Sequence, residues 1–117
     1  MPLQQGSVLW VRVADQAGRN PKCRPAVVVT PTSEIKPGEK IVVVAATSTF
    51  SNPLPANRVE LPWSPGRHPV TGLYKRCVAV CDWLIEIDQA SIIDVGGTIP
   101  RSTLDLIIRK LPKVDDD

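Results

Sequence analysis

No stretch of this sequence approaches the roughly 18 consecutive apolar residues that cross a bilayer. The longest apolar run, Ile41 to Ala46, has the length of one buried strand, so a transmembrane helix is excluded. The opening Met-Pro-Leu-Gln-Gln-Gly-Ser lacks both the basic region and the apolar core of a secretory leader, which leads to the expectation of a cytoplasmic protein. Charge of one sign is also scarce: 14 Lys and Arg against 12 Asp and Glu leave a net charge of +2. Contact with a nucleic acid must then come from a local patch, because the total supplies none. The three cysteines, Cys23, Cys77 and Cys81, cannot all pair within one chain and are expected as reduced thiols. With the single His68 they number four, enough for a zinc ion, but Cys-x3-Cys is weak ligand spacing and the other two lie far off in sequence. Small core residues on a strand are the preferred reading, and no metal or other cofactor is expected. No local signature of a thiol enzyme surrounds any of the three.

What is present suits one folded domain spanning residues 1–117: 43% hydrophobic and 22% charged residues is an ordinary globular balance. Ser7 to Val13 alternates Val8, Trp10 and Arg12 against Leu9, Val11 and Val13, the pattern of a half-buried strand. A polar loop follows, with Gly18, Asn20 and Pro21 as turn formers and Arg19, Lys22 and Arg24 as a basic cluster. Pro25 opens a second apolar strand, Ala26 to Val29, and Ile41 to Ala46 forms a third that runs into Thr47-Ser48-Thr49. Five prolines make most of Phe50 to Pro69 irregular, apart from a short strand at Arg58 to Leu61. Gly72 to Ile87 reads as one extended segment with Cys77, Ala79, Cys81 and Trp83 on one face. Val78, Val80, Asp82 and Leu84 take the other, which puts a carboxylate among apolar side chains. Leu104, Ile107, Ile108 and Leu111 mark one stripe of a helix over about Pro100 to Leu111, with Arg109 and Lys110 at its negative end. Lys113 to Asp117 is an acidic tail. Short strands punctuated by proline and closed by one helix predict a mainly β fold, a small SH3-like β-barrel over about 6–95 with a C-terminal α-helix.

The order of these segments resembles that of a known family. Gly6-Ser7-Val8-Leu9-Trp10-Val11, a loop, Arg24-Pro25-Ala26-Val27-Val28-Val29, and Ile41-Val42-Val43-Val44 leading to Thr47-Ser48 is similar to the MazF/PemK toxins of bacterial toxin-antitoxin pairs. Gly72-Leu73, Cys81-Asp82, Ile87-Asp88 and Gly97-x-Ile99 followed by Leu104, Ile107 and Leu111 resemble the family's second half, so the likeness covers about residues 6 to 111. The resemblance implies a homodimeric SH3-like barrel that cleaves single-stranded RNA without metal and is restrained by a cognate antitoxin. Such cleavage proceeds by attack of a ribose 2′-hydroxyl on its own phosphate, which needs a proton acceptor, a proton donor and a group that stabilises negative charge.

Arg24 matches the family's Arg-Pro arginine, and its fork can hold two phosphate oxygens while staying charged. Thr47 and Ser48 match the family's hydroxyl pair at the end of the third strand, where they and Thr49 can hydrogen-bond phosphate or ribose, or simply form a turn. Asp82 matches an aspartate that in some members acts beside an arginine two positions earlier; here that position is Val80, and Ile85 and Trp83 also depart from the pattern. Asp82 is therefore either a base or a buried acceptor that organises a loop. Arg19 and Lys22 favour anion binding, Trp63 lies in a loop where an indole can stack on a base, and Trp10 and Trp83 suit core or dimer contacts. His68, the one imidazole, is an incidental loop residue on this reading. The catalytic set is thus Arg24, Thr47 and Asp82, with Arg19, Lys22, Ser48, Thr49 and Trp63 as RNA-binding residues. The departures at Val80 and Ile85 leave open a barrel that binds RNA or a partner peptide without cleavage. A relative directed at gyrase ranks last, because the tail lacks an aromatic terminus.

Overall fold

The computed structural model describes residues 3–14, 18–48 and 55–112. Six strands form one antiparallel sheet: β1 (Ser7–Val13), β2 (Lys22–Val28), β3 (Ile41–Thr47), β4 (Arg58–Glu60), β5 (Val78–Ile87) and β6 (Ile92–Thr98), followed by α1 (Arg101–Lys110). Their order across the sheet is β4-β5-β3-β2-β1-β6. Among the described residues no ladder joins β4 to β6, so the expected barrel is a bent sheet left open along that seam.

Both faces of this sheet are covered, which explains why β2 and β3 read as continuous apolar runs rather than alternating ones. On one face Val8, Val27, Val44, Ala46, Ala79 and Cys81 pack with Leu104 and Ile107 of α1. On the other, Leu9, Val11, Ala26, Val28, Ile41, Val43 and Ile87 make a second cluster. The helix starts one residue after Pro100, whose missing amide costs nothing there, and it presents Leu104 and Ile107 inward, with Leu111 partly buried beside them, whereas Ile108 of the same predicted stripe is exposed.

Several boundaries differ from those read in the sequence. β2 begins at Lys22, not after Pro25, and runs through the proline. Pro25 lies opposite Trp10 of β1, while pairing with β3 starts only at Ala26, so the ladder on the β3 side has not begun where an amide is missing. β6 has no counterpart among the strands read in the sequence. The extended segment begins at Val78, and residues 72–77 instead belong to a hydrogen-bonded loop. The tail Lys113 to Asp117 lies outside the described residues.

β5 carries the main irregularity. Ala79 pairs with Ala46 and Leu84 with Val44, so the four residues Val80 to Trp83 lie opposite Ala45 alone. The three extra residues reverse the facing of the strand: Ala79 and Cys81 join the α1 cluster, whereas beyond the bulge Ile85 and Ile87 join the opposite one.

The loop of residues 62–77 is tied by its own groups. His68 Nδ1 accepts from the amides of Val70 and Thr71, both at 3.2 Å, which fixes the proton on Nε2. Thr71, fully buried, donates its hydroxyl to the Pro62 carbonyl at 2.9 Å and accepts from the Leu73 amide at 3.1 Å.

Ile107 is fully buried, and Ile107→Ala should cost about 2–5 kcal/mol in denaturant unfolding. Burial first, and the Glu60 carboxylate second, push the Cys77 thiol up to about 11; burial raises Cys81 as well. The unfolded chain releases the Cys77 proton near 9.0, so stability should fall as pH rises from there toward about 11. A thiol reagent at neutral pH should modify the exposed Cys23 in the native protein, and Cys77 and Cys81 only on unfolding.

Candidate functional site

The β-ladder sets which of the singled-out residues meet. The β2–β3 ladder ends at Ala26 and Ala45, and two residues beyond it on the respective strands Arg24 and Thr47 share the face that carries Ala26 and Val43. Thr47 pairs with Val78 of β5, and Val80, on the same face as Val78, pairs with Arg58 of β4. The bulge then turns Trp83 toward Arg24, whose guanidinium carbon lies 5.4 Å from the indole centroid. It also brings Asp82 to Arg58, with Oδ1 3.6 Å from Nη1. Arg24, Thr47, Trp83, Asp82 and Arg58 thus line one side of the sheet across four strands.

Arg24 is half-buried, and its Nε is buried without a hydrogen-bond partner. No described carboxylate forms an ion pair with it, and the Trp83 ring is the contact that orients it. Asp82 differs from the buried acceptor that its flanking residues suggested. Its side chain is 50% exposed, because the bulge lifts it out of the alternation that would have set it beside Val78 and Val80. Its guanidinium partner comes from β4, the cross-strand neighbour of Val80, and Arg58 is itself steadied by donating to Asn57 Oδ1 at 2.7 Å. An exposed pair of this kind contributes little stability.

Around the ends of β2 and β3 lies a cavity of about 220 Å³ bordered by Trp10, Cys23, Ser48 and Tyr74 and by three cations, Lys22, Arg24 and Lys75, with no carboxylate. An anion suits this lining. An adjoining cavity of about 230 Å³ shares Trp10, Cys23 and Tyr74 and adds Arg67 and Asp94. The two exist because the 62–77 loop lies close over β1 and β6. A side chain at Gly96 would collide with the Trp10 ring, and one at Gly97 with the Val70 carbonyl. Gly72, at φ 77°, has the Gly96 carbonyl 2.5 Å from where a Cβ would stand.

Of the residues singled out in the sequence, Lys22, Arg24 and Ser48 border the first cavity. Thr47 is half-buried at the end of β3. Arg19 is exposed on the β1–β2 loop and Trp63 on the long loop, and neither borders these two cavities. Thr49 lies outside the described residues. His68 has its Nδ1 committed to backbone amides. Trp10, Arg67, Tyr74, Lys75 and Asp94 were missed as site residues; only the glycines at 72, 96 and 97 hinted at a close approach there. Among the described residues no three of His, Cys, Asp and Glu gather where they could share a metal ion, and no helix is long and apolar enough to cross a membrane.

Comparison with known proteins agrees with this architecture. A search of curated proteins finds no match. Among solved structures, a MazF from Deinococcus radiodurans superposes with a TM-score of 0.70 at 23% identity, covering 95% of this chain and 94% of that one. An endoribonuclease from a mycobacterial species superposes at 0.67 with 17% identity, covering 95% and 88%. A mycobacterial endoribonuclease in complex with its cognate antitoxin gives 0.67 at 16% identity, covering 93% and 90%. At these identities the likeness establishes the fold. The family model for PemK-like, MazF-like toxins of type II toxin-antitoxin systems matches residues 4–114, nearly the whole chain, and the chain belongs to that family.

Proposed function

We propose that this toxin is a metal-independent endoribonuclease that cleaves single-stranded RNA. The observation that carries the reading is Arg24: a guanidinium held against Trp83, without an acidic partner among the described residues, at the border of a cavity lined by Lys22 and Lys75. In the reaction the 2′-oxygen forms a bond to its neighbouring phosphorus and the bond to the 5′-oxygen breaks. The products are a 2′,3′-cyclic phosphate and a 5′-hydroxyl. Arg24 stabilises the extra negative charge on the phosphoryl oxygens and stands near enough in role to donate to the departing 5′-oxygen. Thr47, on the same face of the sheet as Arg24, positions the phosphate or ribose through its hydroxyl. Asp82, exposed and oriented by Arg58, takes the 2′-hydroxyl proton. Lys22 and Ser48 hold the backbone in the cavity, and Arg19, Thr49 and Trp63 contact flanking nucleotides.

A homodimer restrained by a cognate antitoxin completes the proposal. Family membership and a solved relative bound to its own antitoxin support it. Exposed Leu84, Ile93 and Val95 supply apolar surface for protein contacts.

The test is a mixed pool of single-stranded RNA incubated with purified protein in EDTA. Cleavage with cyclic-phosphate ends is expected, and Arg24→Ala should slow it about 10²- to 10³-fold. Arg24→Lys, which keeps the charge and loses the fork, should also be impaired. Absence of cleavage in every pool overturns the proposal, and RNA binding that weakens with salt but leaves the strand whole would instead identify a non-cleaving barrel.

A further inference from the structure

The cavity bordered by Trp10, Tyr74, Arg67 and Asp94 contains two opposite charges that do not close on each other. Asp94 uses Oδ1 to accept from the Val95 amide at 2.9 Å, which leaves Oδ2 without a described partner. The Arg67 guanidinium has no ion pair or hydrogen bond among the described residues. Its backbone is held at φ 79°, a left-handed conformation that a non-glycine residue adopts at a cost and that often marks a binding site. The same cavity is bordered by two aromatic residues, the half-buried Trp10 and the 52% exposed Tyr74, and by Ile93. Trp10 cannot retreat, because Gly96 is already packed against its ring.

We infer that this cavity of about 230 Å³ is a subsite for a guanine base of single-stranded RNA. A ligand that uses all of these groups is flat, to lie against the rings, and carries acceptors for the guanidinium and donors for the carboxylate. Guanine offers O6 and N7 to a guanidinium, and N1–H and the N2 amine to a carboxylate. Adenine would turn the N1 lone pair toward Asp94, and uracil has no amine to offer it. An acidic peptide would meet Asp94 and a basic one Arg67, so a peptide fits less well. The position agrees, since the cavity shares Trp10, Cys23 and Tyr74 with the cation-lined one. A strand whose phosphate lies between Lys22 and Lys75 has a neighbouring base within reach. The inference rests on the ribonuclease reading for its consequence in cleavage, but not for binding.

Two measurements separate the claims. In the first, a randomised single-stranded RNA is cut and its new ends are sequenced. Guanine should recur at one fixed distance from the cut, and inosine there, which lacks the N2 amine, should lower the rate about tenfold. Asp94→Asn should erase the difference between guanine and inosine. Cleavage with no base preference at any such position, or an unchanged profile in Asp94→Asn, overturns the subsite and leaves the ribonuclease reading intact. The second uses the Arg24→Ala protein and follows tryptophan fluorescence with GMP, AMP and UMP. GMP should bind about tenfold more tightly than the others, and Asp94→Asn should remove that margin. Equal binding of all three overturns the subsite; selective GMP binding by a protein that cuts no RNA supports it while the ribonuclease reading fails.

Discussion

β5 has to serve two partners with different registers. Its first residues lie between β4 and the end of β3, its last pair along the start of β3, and the four residues Val80 to Trp83 facing Ala45 absorb the difference. An uninterrupted strand would keep Trp83 on the face of Cys81, inside the cluster beneath α1. The bulge turns it to the other side, where it becomes the platform for Arg24, and raises Asp82 to where Arg58 can reach it. The candidate site's face therefore depends on a local misfit between strands more than on the strands themselves. The apolar clusters on both sides hold the misfit in place, because sliding β5 to relieve it would expose Ala79 or Ile87.

Much of the sheet was legible because its strands obey period-two logic and its helix a 3.6-residue one. β1 and α1 appear almost where the pattern put them, and β3 differs by a residue. β6 escaped because its Gly96-Gly97 pair carries no β propensity. Those glycines are there for Trp10 and Val70, contacts made by segments distant in sequence. The exposure of Asp82, which the sequence reading left open between a base and a buried acceptor, escaped for a related reason: alternation counted along the chain cannot register a bulge whose cause lies in β3 and β4.

The candidate site divides in the same way. Lys22 and Arg24 could be found from sequence as a basic cluster beside the Arg24-Pro25 motif, and Ser48 because it follows the third strand that the pattern locates. Arg67, Tyr74, Lys75 and Asp94 could not, since they reach the groove only when the long loop folds over β1 and β6. That fold is built from backbone amides captured by His68 and Thr71, residue types that occur in countless loops and signal nothing alone. Arg58 is intermediate: its strand was read, its ion pair was not.

β6 is an outer strand of the sheet, and its first half reads Ile92-Ile93-Asp94-Val95, with Ile93 59% and Val95 42% exposed. Such an edge is a template on which a second chain could add strands and begin an aggregate. Asp94 is the only charge in that strand, so it also acts as a gatekeeper that discourages growth along the fibril direction. A substitution at Asp94 would then alter two things at once, the charge of this outer strand and the lining of the cavity beside it.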